Sequence, residues 1–114
     1  MTEKEKEKAL ENFKVGTLDI IILKLLVNKN IYAYEFEKEI ENHSGGYIKV
    51  KRVSIYTKVH RLHEKGYIEK IRWRGCGKRY REYYSLTETG YEYLEELIDL
   101  YDDYQAGLRA ILRR

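Results

Sequence analysis

KVKRVSIYTKVHRLHEKGYIEKIRWRGCGKRYR, residues 49–81, holds twelve Lys or Arg against two acids, Glu64 and Glu69. The stretch carries +10 in a chain whose total is +3, so the remainder sums to −7. A positive block inside an acidic chain is the electrostatic footprint of a polyanion-binding surface. Apolar residues run through it at structured spacings, Ile55, Val59 and Leu62 and then Tyr67, Ile71 and Trp73, which argues against a disordered basic tail. Ile55 to Lys65 reads as a helix capped by Ser54 and closed by Gly66. Tyr67 to Arg74 and Lys78 to Leu86 read as two strands of a hairpin, turned by Gly75-Cys76-Gly77.

Upstream, residues 3–13 alternate Glu and Lys and end on Leu10 and Phe13, the pattern of a short solvated helix with one apolar edge. Gly16-Thr17 is expected to break it, with Thr17 capping the next helix. Leu18 to Val27 is apolar nearly all round, which predicts burial on more than one side and a second covering surface from another subunit. A second helix is expected over Ala33–His43, ended by Ser44-Gly45-Gly46, followed by a short extended piece from Tyr47 to Val50. Downstream, Thr87 caps a last helix in which Leu94, Leu97, Tyr101, Tyr104, Leu108 and Ile111 follow a heptad pattern. From Thr87 to Leu112 this helix would be about 39 Å long, and its seam implies a partner helix.

At 114 residues the chain forms one domain. The fold class is mainly α with a small β-hairpin. The order of helices, hairpin and last helix is that of a winged helix-turn-helix over residues 1–86, followed by a long dimerisation helix over residues 87–114. At 100° per residue, Ser54, Thr57, Lys58, Arg61 and Lys65 share one side of the third helix, away from Ile55, Val59 and Leu62. Such a face supplies cations for phosphates and guanine edges, and hydroxyls for shorter reach. Lys51 and Arg52 approach it. Lys70, Arg72, Arg74, Lys78, Arg79 and Arg81 make the hairpin a wing for the DNA backbone or minor groove. Charge that only protects a strand edge from aggregation would need fewer cations. Leu10, Phe13, Leu18, Ile22 and the heptad residues are the expected dimer interface.

Several segments resemble the PadR family of bacterial and archaeal transcriptional regulators. They are Gly16-Thr17-Leu18-Asp19, Ala33-Tyr34-Glu35, Ser54-Ile55-Tyr56, Leu62 through Glu69, and Arg81 through Gly90. The family usually has Gly at Ala33 and Gly-Thr-Leu-Tyr at Val53-Ser54-Ile55-Tyr56. The single last helix resembles the short subfamily. The resemblance implies a homodimer, with the last helix exchanged against the partner's N-terminal region, and repression of nearby promoters. Tyr56 matches a tyrosine of the family; lying off the inward stripe, it either packs on the wing or reaches a phosphate. Some relatives bind flat aromatic molecules at the dimer interface, so a small aromatic effector between the Tyr101 and Tyr104 seams is a possible partner.

No catalytic triad, phosphate-cradling loop or carboxylate dyad marks an enzyme, and no cofactor is expected. His60, His63 and Glu64 lack the further ligands a metal needs, so no metal site is expected. Cys76, at the hairpin tip, could serve as a redox sensor but reads more simply as incidental. One cysteine, a charged N-terminus and no apolar run long enough for a bilayer point to a cytoplasmic protein with no membrane partner. Double-stranded DNA is the expected partner. A non-specific architectural DNA-binding protein and a winged-helix protein-interaction module are the alternatives.

Overall fold

The computed structural model describes residues 1–74 and 80–114 and, within them, all side chains but those of Trp73, Arg74 and Tyr80. The expected turn at Gly75-Cys76-Gly77 and the expected contacts of Arg74, Lys78 and Arg79 therefore lie outside the described residues.

The first helix, α1, runs without a break from Glu3 to Asn28. Thr2 caps it: its hydroxyl accepts from the Glu5 amide at 3.1 Å, and the Glu5 carboxylate accepts from the Thr2 amide at 3.2 Å. The expected break at Gly16-Thr17 is absent. Thr17 is no cap; its hydroxyl donates to the Phe13 carbonyl at 2.9 Å inside the helix. One interior glycine costs a helix only about 1 kcal/mol against alanine. Burial of Leu18, Ile22, Leu23 and Leu26 outweighs that.

Ile31–Tyr32 forms β1, which pairs with β3 (Tyr80–Leu86) in the register Ile31↔Tyr84 and Tyr32↔Tyr83. Together with β2 (Ile68–Arg74) they make an antiparallel sheet of order β1-β3-β2. A 3-10 turn at Ala33–Glu35 then leads into α2, Phe36–His43, where the sequence predicted one helix from Ala33. The Glu35 carboxylate holds that turn by accepting from the Tyr32 amide at 2.9 Å. Helix α3 spans Arg52–Glu64, three residues earlier than expected, so Ser54 lies inside it and does not cap it. Val53 is 76% exposed in the first turn, so its side chain meets no obstacle. Gly66, at φ +80°, makes the left-handed step from α3 to β2.

Helix α4, Glu88–Leu112, is capped by Thr87 as expected. The Thr87 hydroxyl accepts from the Gly90 amide at 3.0 Å and donates to the Gly66 carbonyl at 2.7 Å. A side chain at Gly90 would overlap the Tyr67 carbonyl. The Tyr67 and Tyr93 rings stack with centroids 4.1 Å apart and planes 5° apart. The base of the hairpin and the start of α4 are thus fastened together.

The core gathers Leu18, Ile22, Leu23 and Leu26 of α1, Ile31, Phe36 and Ile40, then Ile55, Val59 and Leu62 of α3, Ile68, Tyr84 and Leu94. The apolar half of α1 therefore packs against α2, α3, β3 and α4 of the same chain, with Ile20, Ile21, Leu25 and Val27 only partly buried. From Asp99 onward every residue of α4 except Gln105 is exposed. This extension lengthens the molecule to 59 Å and raises its radius of gyration to 16.1 Å. A compact chain of this length would have about 13 Å. Three helices, a hairpin and a trailing helix in this order form a winged helix-turn-helix.

Candidate nucleic-acid interface

Ile55, Val59 and Leu62 face the core, so the opposite side of α3 is turned outward. Arg61, Lys65 and Thr57 are consequently exposed, with Ser54 half-buried beside them. The Thr57 hydroxyl donates to the Val53 carbonyl at 2.8 Å, which leaves its lone pairs outward. The hairpin stands alongside. Pairing of Ile68 with Leu86, Lys70 with Tyr84 and Arg72 with Glu82 puts these residues on one sheet face. Ile68 and Tyr84 are buried, whereas Lys70, Arg72 and Glu82 are exposed, so the face turns charged where it leaves the core.

A cleft of about 350 Å³ separates α3 from the hairpin. It is lined by Tyr32, Tyr34, Tyr56, Val59, His60, Lys70, Arg81 and Tyr84, among others. Tyr32 and Tyr34 meet edge-to-face at 5.4 Å, and Tyr34 meets Tyr56 in the same way at 6.1 Å. Arg81 lies 5.1 Å over the Tyr32 ring and Arg52 lies 5.5 Å over Tyr34. Partial burial, then the neighbouring Tyr34, pushes the Tyr56 phenol above its ordinary range. Tyr56 is therefore a neutral hydroxyl at the cleft wall, packed on Tyr34.

This aromatic cluster was not read from the sequence. Its signal was the abundance of tyrosine and the Tyr32-x-Tyr34 spacing, but only the two-residue strand β1 brings the Tyr32 ring to Tyr83 and Arg81.

The structure redistributes other expected contacts. Lys58 is not free on the reading face: its ammonium meets the Asp19 carboxylate of α1 at 2.8 Å, with both side chains largely covered. The third helix is held at that point rather than presented. Arg52 is shared between Tyr34 and the Glu37 carboxylate, 3.3 Å away. Lys51 lines a groove beside Lys4, Glu7 and Glu41, on the α1 side of the molecule. His60 pairs with Glu64 at 2.7 Å, and among the described residues no group of three or more potential metal ligands forms. Among those same residues no helix is long and apolar enough to cross a membrane.

The expected dimer residues also divide. Leu18, Ile22 and Leu94 lie inside the chain's own core, so their surface is already spent. Leu10 and Leu97 are half-buried, whereas Phe13, Tyr101, Tyr104, Leu108 and Ile111 are exposed.

Known proteins share this fold. The family described as Transcriptional regulator PadR-like matches residues 22–96. An uncharacterized protein of Lysinibacillus sphaericus is 36% identical over 83 residues, covering 73% of this chain and 76% of its own. A transcriptional regulator from Clostridium thermocellum is similar in structure, with a TM-score of 0.80 and 25% identity over 87% of this chain and 93% of that one. Bacillus subtilis PadR, solved in complex with operator DNA, shares the fold at a TM-score of 0.64 and 23% identity, over 72% of this chain and 47% of that one. The match runs from the core half of α1 to the first turns of α4 and so takes in both α3 and the hairpin; the chain belongs to the PadR-like family of transcriptional regulators.

Proposed function

We propose that this chain is a homodimeric, sequence-specific DNA-binding regulator, a repressor acting in the cytoplasm. One observation carries the reading: the exposed cations of α3 stand beside the basic reach of the hairpin, so one face offers a helix for the major groove and a wing for the backbone. Arg61 and Lys65 read or grip from the helix, and Lys70, Arg72 and Arg81 grip from the wing. Tyr56 adds a neutral hydroxyl between them. A relative of this fold is known in complex with operator DNA, which favours duplex DNA as the polyanion. Occupation of a promoter by two such faces excludes other proteins from it, hence repression.

Residues 1–86 form the DNA-binding unit on this reading, and residues 87–114 the dimerisation helix, whose first turns also serve the core. The exposed row of Tyr101, Tyr104, Leu108 and Ile111, together with Phe13 and Leu10 of α1, supplies the dimer contacts. Two reading helices would then meet half-sites about 34 Å apart on one side of the duplex. A planar aromatic molecule fits between paired seams at Tyr101 and Tyr104; titration with such compounds should change tyrosine fluorescence and DNA affinity together, and no response from either removes that effector.

The test is selection of genomic fragments by the purified protein, followed by titration across salt concentrations. Log affinity should fall linearly with log salt, with a slope near −0.9 for each phosphate neutralised. A flat dependence sinks the proposal. Equal affinity for selected and random fragments would instead indicate an architectural protein. No binding even at low salt would leave a protein-interaction module.

A further inference from the structure

The contacts that hold α3 in place are unequal in kind. Ile55, Val59 and Leu62 anchor it through apolar packing, which carries little directional preference. On its α1 side stands one directional contact, the Lys58 ammonium at 2.8 Å from the Asp19 carboxylate. The Lys58 and Asp19 side chains are 21% and 28% exposed, so water screens the pair less than an open surface pair. Asp19 belongs to the same unbroken helix as Phe13 and Val15, whose side chains are 69% and 70% exposed. The charge of Asp19 also reaches α4: after burial, it is the next cause raising the Tyr93 phenol. Tyr93 in turn stacks on Tyr67 at the base of the hairpin.

We infer that the Asp19–Lys58 pair is a positioning joint that locks the roll of the reading helix to α1, and thereby sets which half-site spacing the dimer accepts. The inference rests on the DNA-binding dimer proposed above. Lys58 then contributes to specificity through geometry, without touching a phosphate. The pair couples two elements that apolar packing alone would let turn against each other. A small roll of α3 moves Arg61 and Lys65 sideways along the groove, and two subunits rolling independently blur the distance between their reading ends.

The test takes a fragment retained by the wild-type protein and a second copy with its half-sites moved apart by two base pairs. The ratio of the two affinities measures spacing selectivity. Asp19→Asn and Lys58→Met should each lower that ratio about threefold or more, a coupling of the size expected within one ion pair. The salt slope of Lys58→Met should stay near that of the wild type, because no phosphate contact is lost. The exchanged pair, Asp19→Lys with Lys58→Asp, should recover the ratio; it keeps the inference testable if a single variant unfolds. If Lys58→Met instead lowers the slope by about 1 while Asp19→Asn tightens binding, Lys58 is an ordinary phosphate contact and the joint is refuted. If every variant keeps the wild-type ratio, the joint is refuted alone. A wild-type protein that retains no fragment removes the functional reading, and the inference with it.

Discussion

The two long helices each change character midway, and the two halves obey different rules. In α1, Leu18, Ile22, Leu23 and Leu26 are buried, while Phe13 and Val15 stand in solvent. In α4, Leu94 is buried, while Tyr104, Ile111 and Leu112 are 69%, 65% and 73% exposed. Apolar periodicity runs through both halves. The inner halves satisfy it within the chain, and the outer halves leave it unmet. Periodicity thus records that a face is to be buried without saying which chain buries it.

The largest effect belongs to the inner half. Ile22→Ala removes a fully buried side chain and should cost about 2–5 kcal/mol, read as a lower unfolding midpoint in denaturant. A cost below 1 kcal/mol would break the contrast. Next is the clamp that starts α4. Gly90→Ala must push the Tyr67 carbonyl aside and should cost about 1–3 kcal/mol, with the Tyr67–Tyr93 stack loosened in near-ultraviolet circular dichroism. An unchanged midpoint would mean that α4 shifts freely.

The outer half should behave in the opposite way. Leu108→Glu should leave the helix content of the protein intact and weaken self-association by at least tenfold, roughly 1.4 kcal/mol, in sedimentation equilibrium. Loss of helix content instead would show that Leu108 supports the fold of its own chain.

The smallest effect lies at the turn joining the inner half of α1 to α2. Lys29 at 2.7 Å, aided by His43 at 3.1 Å, holds the Glu39 carboxyl below the usual carboxylate range. Folding lowers this pKa, so the stabilisation is present above the ordinary range and disappears as the pH falls through the lowered value. Glu39→Gln should cost less than about 1 kcal/mol at neutral pH and make the acid side of the stability profile shallower. A variant with an unaltered acid limb would assign that limb to other carboxylates.

Much of the candidate interface was legible because it depends on local pattern. Helix period placed Ile55, Val59 and Leu62 inward and Arg61 and Lys65 outward, and strand alternation gave a basic hairpin. Three departures from local pattern share one cause, which is that a distant segment intervened. Lys58 has the right angle to face DNA, yet Asp19, far away in sequence, takes its charge. Gly16 has the right chemistry for a break, yet packing against α2, α3 and α4 carries the helix through it. Strand β1 is two residues long, too short for any alternation to show, and only its partner β3 makes it a strand.

The sequence by itself determined the order of α2, α3, the hairpin and α4, the caps at Thr87 and Gly66, and the concentration of positive charge between Lys49 and Arg81. These follow from backbone preferences and from charge counting, which act over a few residues. Tertiary structure decided which cations remain free, which apolar residues the chain keeps for its own core, and where three tyrosines and two arginines come together. Those outcomes depend on which surfaces meet. Hydrophobic burial has no preferred direction and fixes only that surfaces meet, so it takes the folded geometry to select the partners.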